Sequence, residues 1–296
     1  VRIAVTGKAG QVVTSLIERG SAAGHEIIAL GRPELDLAEP DSVASAFEAA
    51  APDAIVSAAA YTAVDKAESE SELAHAVNGA GAGAVAEAAR GLGVPLIHVS
   101  TDYVFDGRLD HPYVESDPTG PTGVYGASKL AGEQAVLAAH GDNSAVLRVA
   151  WVYSPFGANF VKTMLHLAGD KDEVSVVADQ LGNPTSALEI ADGILRVATN
   201  MVSDSSPFLR GVFHMTASGE GSWADFADAI FAASAARGGP AARVKRITTA
   251  DYPTPATRPS NSRLDCGLIA RVHGVALPDW HGSLETVIAR LQAVAN

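Results

Sequence analysis

The chain has 296 residues, 47% of them hydrophobic, and its 34 acidic against 21 basic side chains give a formal charge of −13. That length suits one large or two smaller domains with an ample core, and the composition excludes disordered, collagen-like and coiled-coil classes. So acidic a balance argues against nucleic acid or an anionic membrane as partner, though not against a small anionic ligand held at a helix N-terminus.

The only cysteine, Cys266, excludes an intrachain disulfide and a cysteine-based zinc cluster. No stretch reaches the ~18 consecutive apolar residues of a membrane helix. The first residues enter Thr6-Gly7-Lys8-Ala9-Gly10 rather than a cleavage site, so a soluble cytoplasmic protein is expected.

In chain order, buried strands are predicted at Arg2–Thr6, Glu26–Leu30, Ala54–Ser57, Leu96–Ser100 and Ala145–Ala150, short and apolar on consecutive positions. Helices are predicted between them. Gln11–Ala23 is amphipathic, Ser42–Ala51 opens behind Asp41 as N-cap and stops at Pro52, and Leu73–Leu92 ends in Gly-Leu-Gly. A further helix runs from Tyr125 to about His140. Strands alternating with helices imply right-handed crossovers and a parallel sheet covered on both faces: an α/β, doubly wound Rossmann fold. Beyond residue 150 the rhythm loosens into helices at Phe160–Ala168, Leu188–Thr199 and Trp223–Ala236 and strands at Glu173–Val177 and Gly211–Met215. The remainder, with Pro253, Pro255, Pro259 and Pro278, is predicted as short pieces. The division is residues 1–150 as a dinucleotide-binding domain, with later returns near 173–216, and 151–296 as mainly a smaller substrate-binding lobe.

Gly7 and Gly10 follow the first strand and open the first helix, where a dinucleotide pyrophosphate sits against unpaired backbone N–H groups. The spacing is Gly-x-x-Gly, with Val13 where a third glycine falls. Arg32 closes the second strand where an acid would select NAD, which favours NADPH over NADH, and Asp36 is placed to meet the adenine or its ribose. The Asn78–Gly83 glycine cluster follows a helical stretch and reads as helix packing against the sheet. Tyr125 and Lys129 stand one helical turn apart, where an ammonium lowers the pKa of a phenol and makes it a usable proton donor. Ser100-Thr101 ends the fourth strand, so its hydroxyls open toward the same crevice, and Asn78 is a polar group in small, apolar company.

These motifs, with Ala58–Glu68, Val99–Gly107, Trp151-Val152-Tyr153, Asp179–Thr185 and Arg258–Ser262, resemble the extended short-chain dehydrogenase/reductases, specifically the dTDP-4-dehydrorhamnose reductases, over nearly the whole chain. The resemblance implies reduction of the C4 ketone of a dTDP-4-keto-6-deoxy sugar, with Tyr125 donating the proton, Lys129 holding the nicotinamide ribose and Thr101 bonding the carbonyl. It places Gly7, Gly10, Gln11, Val12, Arg32, Asp36, Leu37, Ala58, Ala59, Ala60, Tyr61, Asn78, Tyr125 and Lys129 at the cofactor. It places Thr101, Tyr103, Phe105, Trp151, Asn159, Gln180 and Arg258 at the sugar nucleotide, while Trp223 and Trp280 read as core. Some members bind Mg²⁺ between subunits through glutamates, one on the first helix. Ser15 stands there in this chain, which puts that metal and its dimer in doubt and leaves monomer or homodimer open. The competing readings are a same-fold epimerase or dehydratase, or a non-catalytic dinucleotide-binding subunit.

Overall fold

A computed structural model describes residues 1–295. Five strands, β1 (Arg2–Thr6), β2 (Glu26–Leu30), β3 (Ala54–Ser57), β4 (Leu96–Thr101) and β5 (Ser144–Val149), are joined later in the chain by a sixth, Gly211–His214. All pairings are parallel, in the order β2-β1-β3-β4-β5 followed by Gly211–His214. The order reverses between β1 and β3, so the crevice beyond their carboxyl ends is the switch point where α/β sheets bind ligands. β3 and β5 are buried throughout, which is why they read as continuous apolar runs.

Helix α1 (Gln11–Ala22) buries Val13, Leu16 and Gly20. Helix α2 (Asp41–Ala50) starts one residue earlier than expected: Asp41 is its first residue, Pro40 precedes it, and no side chain caps it. The single helix expected at Leu73–Leu92 is interrupted. Helix α3 (Ser71–His75) passes through a π turn at Ala76–Ala80 into α4 (Gly81–Leu92). Its glycines serve packing, but the surfaces approached are helix α5 (Val124–His140) and the Leu37 loop rather than the sheet. A Cβ at Gly132 of α5 would strike the Asn78 carbonyl, and one at Gly81 would stand 2.8 Å from the Leu37 Cβ.

The second lobe contains α6 (Phe160–Asp170) and β6 (Glu173–Val177). β6 does not return to the main sheet but pairs with Arg243–Ile247. The return begins with α7 (Ala187–Ser203), whose Ile190, Ile194 and Leu195 share a core with Val13 and Leu16 of α1. It ends with β7 (Gly211–His214), the sixth strand, after which α8 (Trp223–Ala235) belongs to the second lobe. The C-terminal stretch is not fragmentary: α9 (Gly267–His273) precedes α10 (Trp280–Ala295), which plants Trp280, Leu284, Val287 and Ile288 against α8. No helix among the described residues is long and apolar enough to cross a membrane.

Candidate active site

The carboxyl ends of β1, β3, β4 and β5 open into a cleft of about 700 Å³. Its floor is built at the β1–α1 turn. Gly7 takes a φ of +102°, donates its N–H to the Leu30 carbonyl, and lies beneath Val13, whose Cγ2 would be 3.2 Å from a Cβ at Gly7. The Thr6 hydroxyl accepts from the N–H groups of Ala58 (3.0 Å) and Ala59 (2.9 Å), which locks β3 beside this turn. Helix α1 begins behind an extended Gly10 with no side-chain cap, so its first N–H groups are available to an anion in the cleft. These features fit a dinucleotide.

The cleft brings together Gly7, Gly10, Gln11, Val12, Ala58, Ala59, Ala60, Thr101, Tyr103, Tyr125, Lys129, Trp151 and Asn159. Within this set Gln11 turns its side chain to the second lobe. The Gln11 Oε1 accepts from Ser154 Oγ (2.7 Å) and Asn159 Nδ2 (3.0 Å), and Asn159 also caps α6.

Other residues expected at the ligands are not part of this cleft's lining. Leu37 is 6% exposed and packs in the core with Val43 and Phe47. Asn78 is buried as a clamp, accepting from the Tyr61 N–H and donating to the Tyr61 carbonyl and Ser128 Oγ. Tyr61 turns its hydroxyl to Glu70 at 2.5 Å. The Asp36 carboxylate accepts from the Ala38 N–H within its own loop, and Arg32 is exposed beyond β2. Phe105 is 1% exposed, stacked 4.1 Å from Tyr113, and is not part of this cleft's lining. The group missed by sequence reasoning is Asp102, which follows Thr101 and lines the same cleft, as does Ser100, whose hydroxyl was expected there.

Thr101 and Asp102 form one unit: the threonine hydroxyl donates to Asp102 Oδ1 at 2.9 Å. Burial raises the Asp102 carboxyl to about 6, against the opposing hydrogen bonds of Ser262 and Thr101. Tyr125 stands edge-on to Tyr103 at 5.4 Å. Burial raises the Tyr125 phenol to about 12, while contact with the Thr101 hydroxyl acts the other way. The lowering expected from Lys129 is therefore not found: burial sets the direction, with the Asp102 charge adding to it. Burial also lowers Lys129 to about 8, opposed by the charge of Glu133, and its ammonium donates to the Val99 carbonyl at 2.7 Å.

A second cleft of about 710 Å³ lies in the smaller lobe, and Gln180, Arg258, Asp65, Trp223 and Tyr252 are among its walls. Arg258 pairs with Asp65 at 2.8 Å, and Gln180 donates to Thr249 Oγ1 at 3.0 Å. Trp223 is not plain core: it stacks on Trp151 at 3.6 Å, so the two rings stand between the clefts. Trp151 takes a left-handed φ of +48° and lies flat on Gly182, where any Cβ would collide with the indole. Among the described residues no group of three or more His, Cys, Asp or Glu has a metal-binding arrangement. Ser15 is buried and donates to the Gln11 carbonyl at 2.8 Å.

A family model described as the RmlD substrate binding domain matches residues 1–293. The chain is 54% identical over 288 residues to a dTDP-4-dehydrorhamnose reductase of Sinorhizobium fredii, covering 97% of each chain. It is similar in structure to a dTDP-4-dehydrorhamnose reductase of Clostridium acetobutylicum, with a TM-score of 0.91, 35% identity, and 99% and 100% of the two chains covered. A dTDP-4-dehydrorhamnose reductase of Bacillus anthracis in complex with NADP gives a TM-score of 0.89 at 34% identity, covering 98% and 99%.

Proposed function

The chain belongs to the RmlD substrate-binding family of dTDP-4-dehydrorhamnose reductases, and we propose that it reduces the C4 ketone of dTDP-4-dehydro-6-deoxy-L-mannose with NADPH. One observation carries the reading: a hydroxyl, a phenol and an ammonium, from Thr101, Tyr125 and Lys129, line one cleft with the uncapped start of α1.

Gly7, Gly10, Val12 and Ala58–Ala60 hold the dinucleotide, its pyrophosphate on the α1 N–H groups. Arg32 stands at the edge of β2 to meet a 2′-phosphate. The bound nicotinamide supplies hydride to the ketone carbon. Thr101 and Tyr125 orient the carbonyl oxygen, and Tyr125 gives its proton to the alkoxide as it forms. Burial keeps the phenol protonated until that moment, and the Lys129 ammonium then stabilises the phenolate left behind.

The second cleft, with Arg258 and Gln180 among its walls, receives the nucleotide end of the substrate. Trp151 sits where the sugar passes from one cleft to the other. The smaller lobe, which residues beyond 150 form apart from the return through α7 and β7, is thus the substrate-binding part. The test is to mix the purified protein, NADPH and the keto sugar nucleotide and to follow absorbance of the reduced cofactor. Stoichiometric loss supports a reductase, whereas tightly retained cofactor with no net oxidation would point to an epimerase or dehydratase.

A further inference from the structure

Glu133 lies two helical turns beyond Tyr125 and one beyond Lys129 on α5, on the same face. Its carboxylate is almost wholly buried, and both oxygens are engaged. Oε1 accepts from Ser100 Oγ at 2.5 Å and Arg148 Nε at 2.9 Å, and Oε2 accepts from Arg148 Nη2 at 2.7 Å. Arg148 is buried too, with its guanidinium 4.9 Å from the centre of the Phe105 ring. Ser100 immediately precedes Thr101 in β4, and Arg148 lies three residues before Trp151 in β5.

Stability alone gives little reason for such a pair, since apolar residues of similar volume usually replace a buried ion pair without loss. Its placement supplies a different reason. We propose that Glu133 is a positioning residue of the active site: through Ser100 and Arg148 it ties the helix bearing Tyr125 and Lys129 to the strand ends leading to Thr101 and Trp151, and it sets a buried carboxylate one helical turn from Lys129. That negative charge opposes the burial that lowers Lys129.

The other ionisable groups around Lys129 do not supply that charge. On α5 itself Tyr125 is a neutral phenol. On β4, His98 is held neutral by burial; Asp102 beyond the strand end titrates near 6 and is ionised where Lys129 titrates, but it is Glu133 whose charge acts on the lysine. On β5, Arg148 is positive. The packed segment Ala76–Ala82 contributes no ionisable side chain.

This deepens the reductase reading and rests on it only for its kinetic arm. The experiment compares the wild-type protein with Glu133→Gln and with the double variant E133Q/R148M, which leaves no orphaned buried guanidinium. The Lys129 ammonium is titrated by NMR on lysine-labelled protein without cofactor, with Lys129→Met to assign the signal, and the alkaline limb of kcat/KM is recorded in parallel. In Glu133→Gln the Lys129 midpoint is expected to fall by about one pH unit or more, and by less in E133Q/R148M, where a buried cation is lost with the carboxylate; the alkaline limb moves alongside it. An unmoved Lys129 midpoint in folded Glu133→Gln overturns the proposal whatever the turnover, and should that variant not fold, a midpoint in E133Q/R148M no lower than wild type does so. A shifted midpoint in a protein whose wild type consumes no NADPH supports the proposal and removes the reductase reading instead.

Discussion

Tyr125 and Lys129 stand one helical turn apart in a single buried cleft, and burial moves their proton affinities in opposite directions, the phenol up to about 12 and the ammonium down to about 8. As pH rises, the lysine is therefore the first of the two to lose its proton. A neutral phenol beside a cation that titrates just above neutrality is a proton donor with its stabiliser in place.

The pH dependence follows directly. Below about 8 Lys129 is charged, and above it the phenolate formed after proton donation loses its counter-charge. Turnover is expected to be level around neutrality and to fall on the alkaline side with a midpoint near 8. Steady-state rates measured across that range check this, and a plateau extending to pH 10 would refute it.

Replacing the phenol isolates the proton step. Tyr125→Phe is expected to lower kcat by about 10²–10⁴-fold, while NADPH affinity measured by quenching of protein fluorescence stays within about threefold of wild type. An equal loss of binding would assign Tyr125 to the cofactor rather than to the chemistry.

The two clefts predict separable binding defects. Arg258→Gln removes the cation paired with Asp65 in the second cleft and should raise KM for the sugar nucleotide about tenfold or more, leaving KM for NADPH unchanged. Arg32→Ala should do the reverse, weakening NADPH about tenfold and NADH hardly at all. Paired titrations of both ligands on both variants check the assignment.

Asp102 carries a stability cost that its neighbours do not remove. Its carboxyl titrates near 6 in the folded chain, against an ordinary value of 3.8, so the folded state holds the proton more tightly. Stability is therefore expected to fall as pH rises from about 4 through 6, and Asp102→Asn should remove that slope. The substitution should also stabilise the protein at neutral pH, by ~3 kcal/mol at most. Denaturant melts at pH 4 and pH 7 measure both.

Helix α5 approaches the Asn78 turn so closely that Gly132→Ala places a methyl against the Asn78 carbonyl and 3.4 Å from the Ala82 Cβ. Backbone must shift to admit it, so a loss of about 1–3 kcal/mol is expected. Gly141→Ala at the end of the same helix meets only Leu137 at ordinary contact distance and serves as the neutral comparison.

Strands β1, β3, β4 and β5 could be read from the sequence because burial on both faces writes largely apolar runs, and the edge strand β2, only partly buried, from its β-branched Ile27-Ile28 pair. The C-terminal helix could not, although Trp280, Leu284, Val287 and Ile288 recur at helical spacing, because the prolines up to Pro278 suggested broken structure. The Tyr125–Lys129 spacing was legible as well, but the direction of the tyrosine shift was not. That direction is set by how deeply other elements bury the ring, and no local spacing records it. Gln11 illustrates the same boundary. Its place beside the glycine turn was evident, yet its side chain answers to Ser154 and Asn159, more than 140 residues away. Phe105 looked like a ligand contact from its motif and proved to be the ring beneath Arg148.

Hydride arriving at C4 while Tyr125 protonates the oxygen is the central claim, and isotope transfer measures it most directly. The protein is given NADPH carrying deuterium on the transferable face of the nicotinamide, together with dTDP-4-dehydro-6-deoxy-L-mannose, and the product is examined by NMR. The account predicts dTDP-L-rhamnose with one deuterium, at C4 of the sugar, formed far more slowly by Tyr125→Phe. Product without deuterium at C4, or no product from folded protein that binds NADPH, would contradict it.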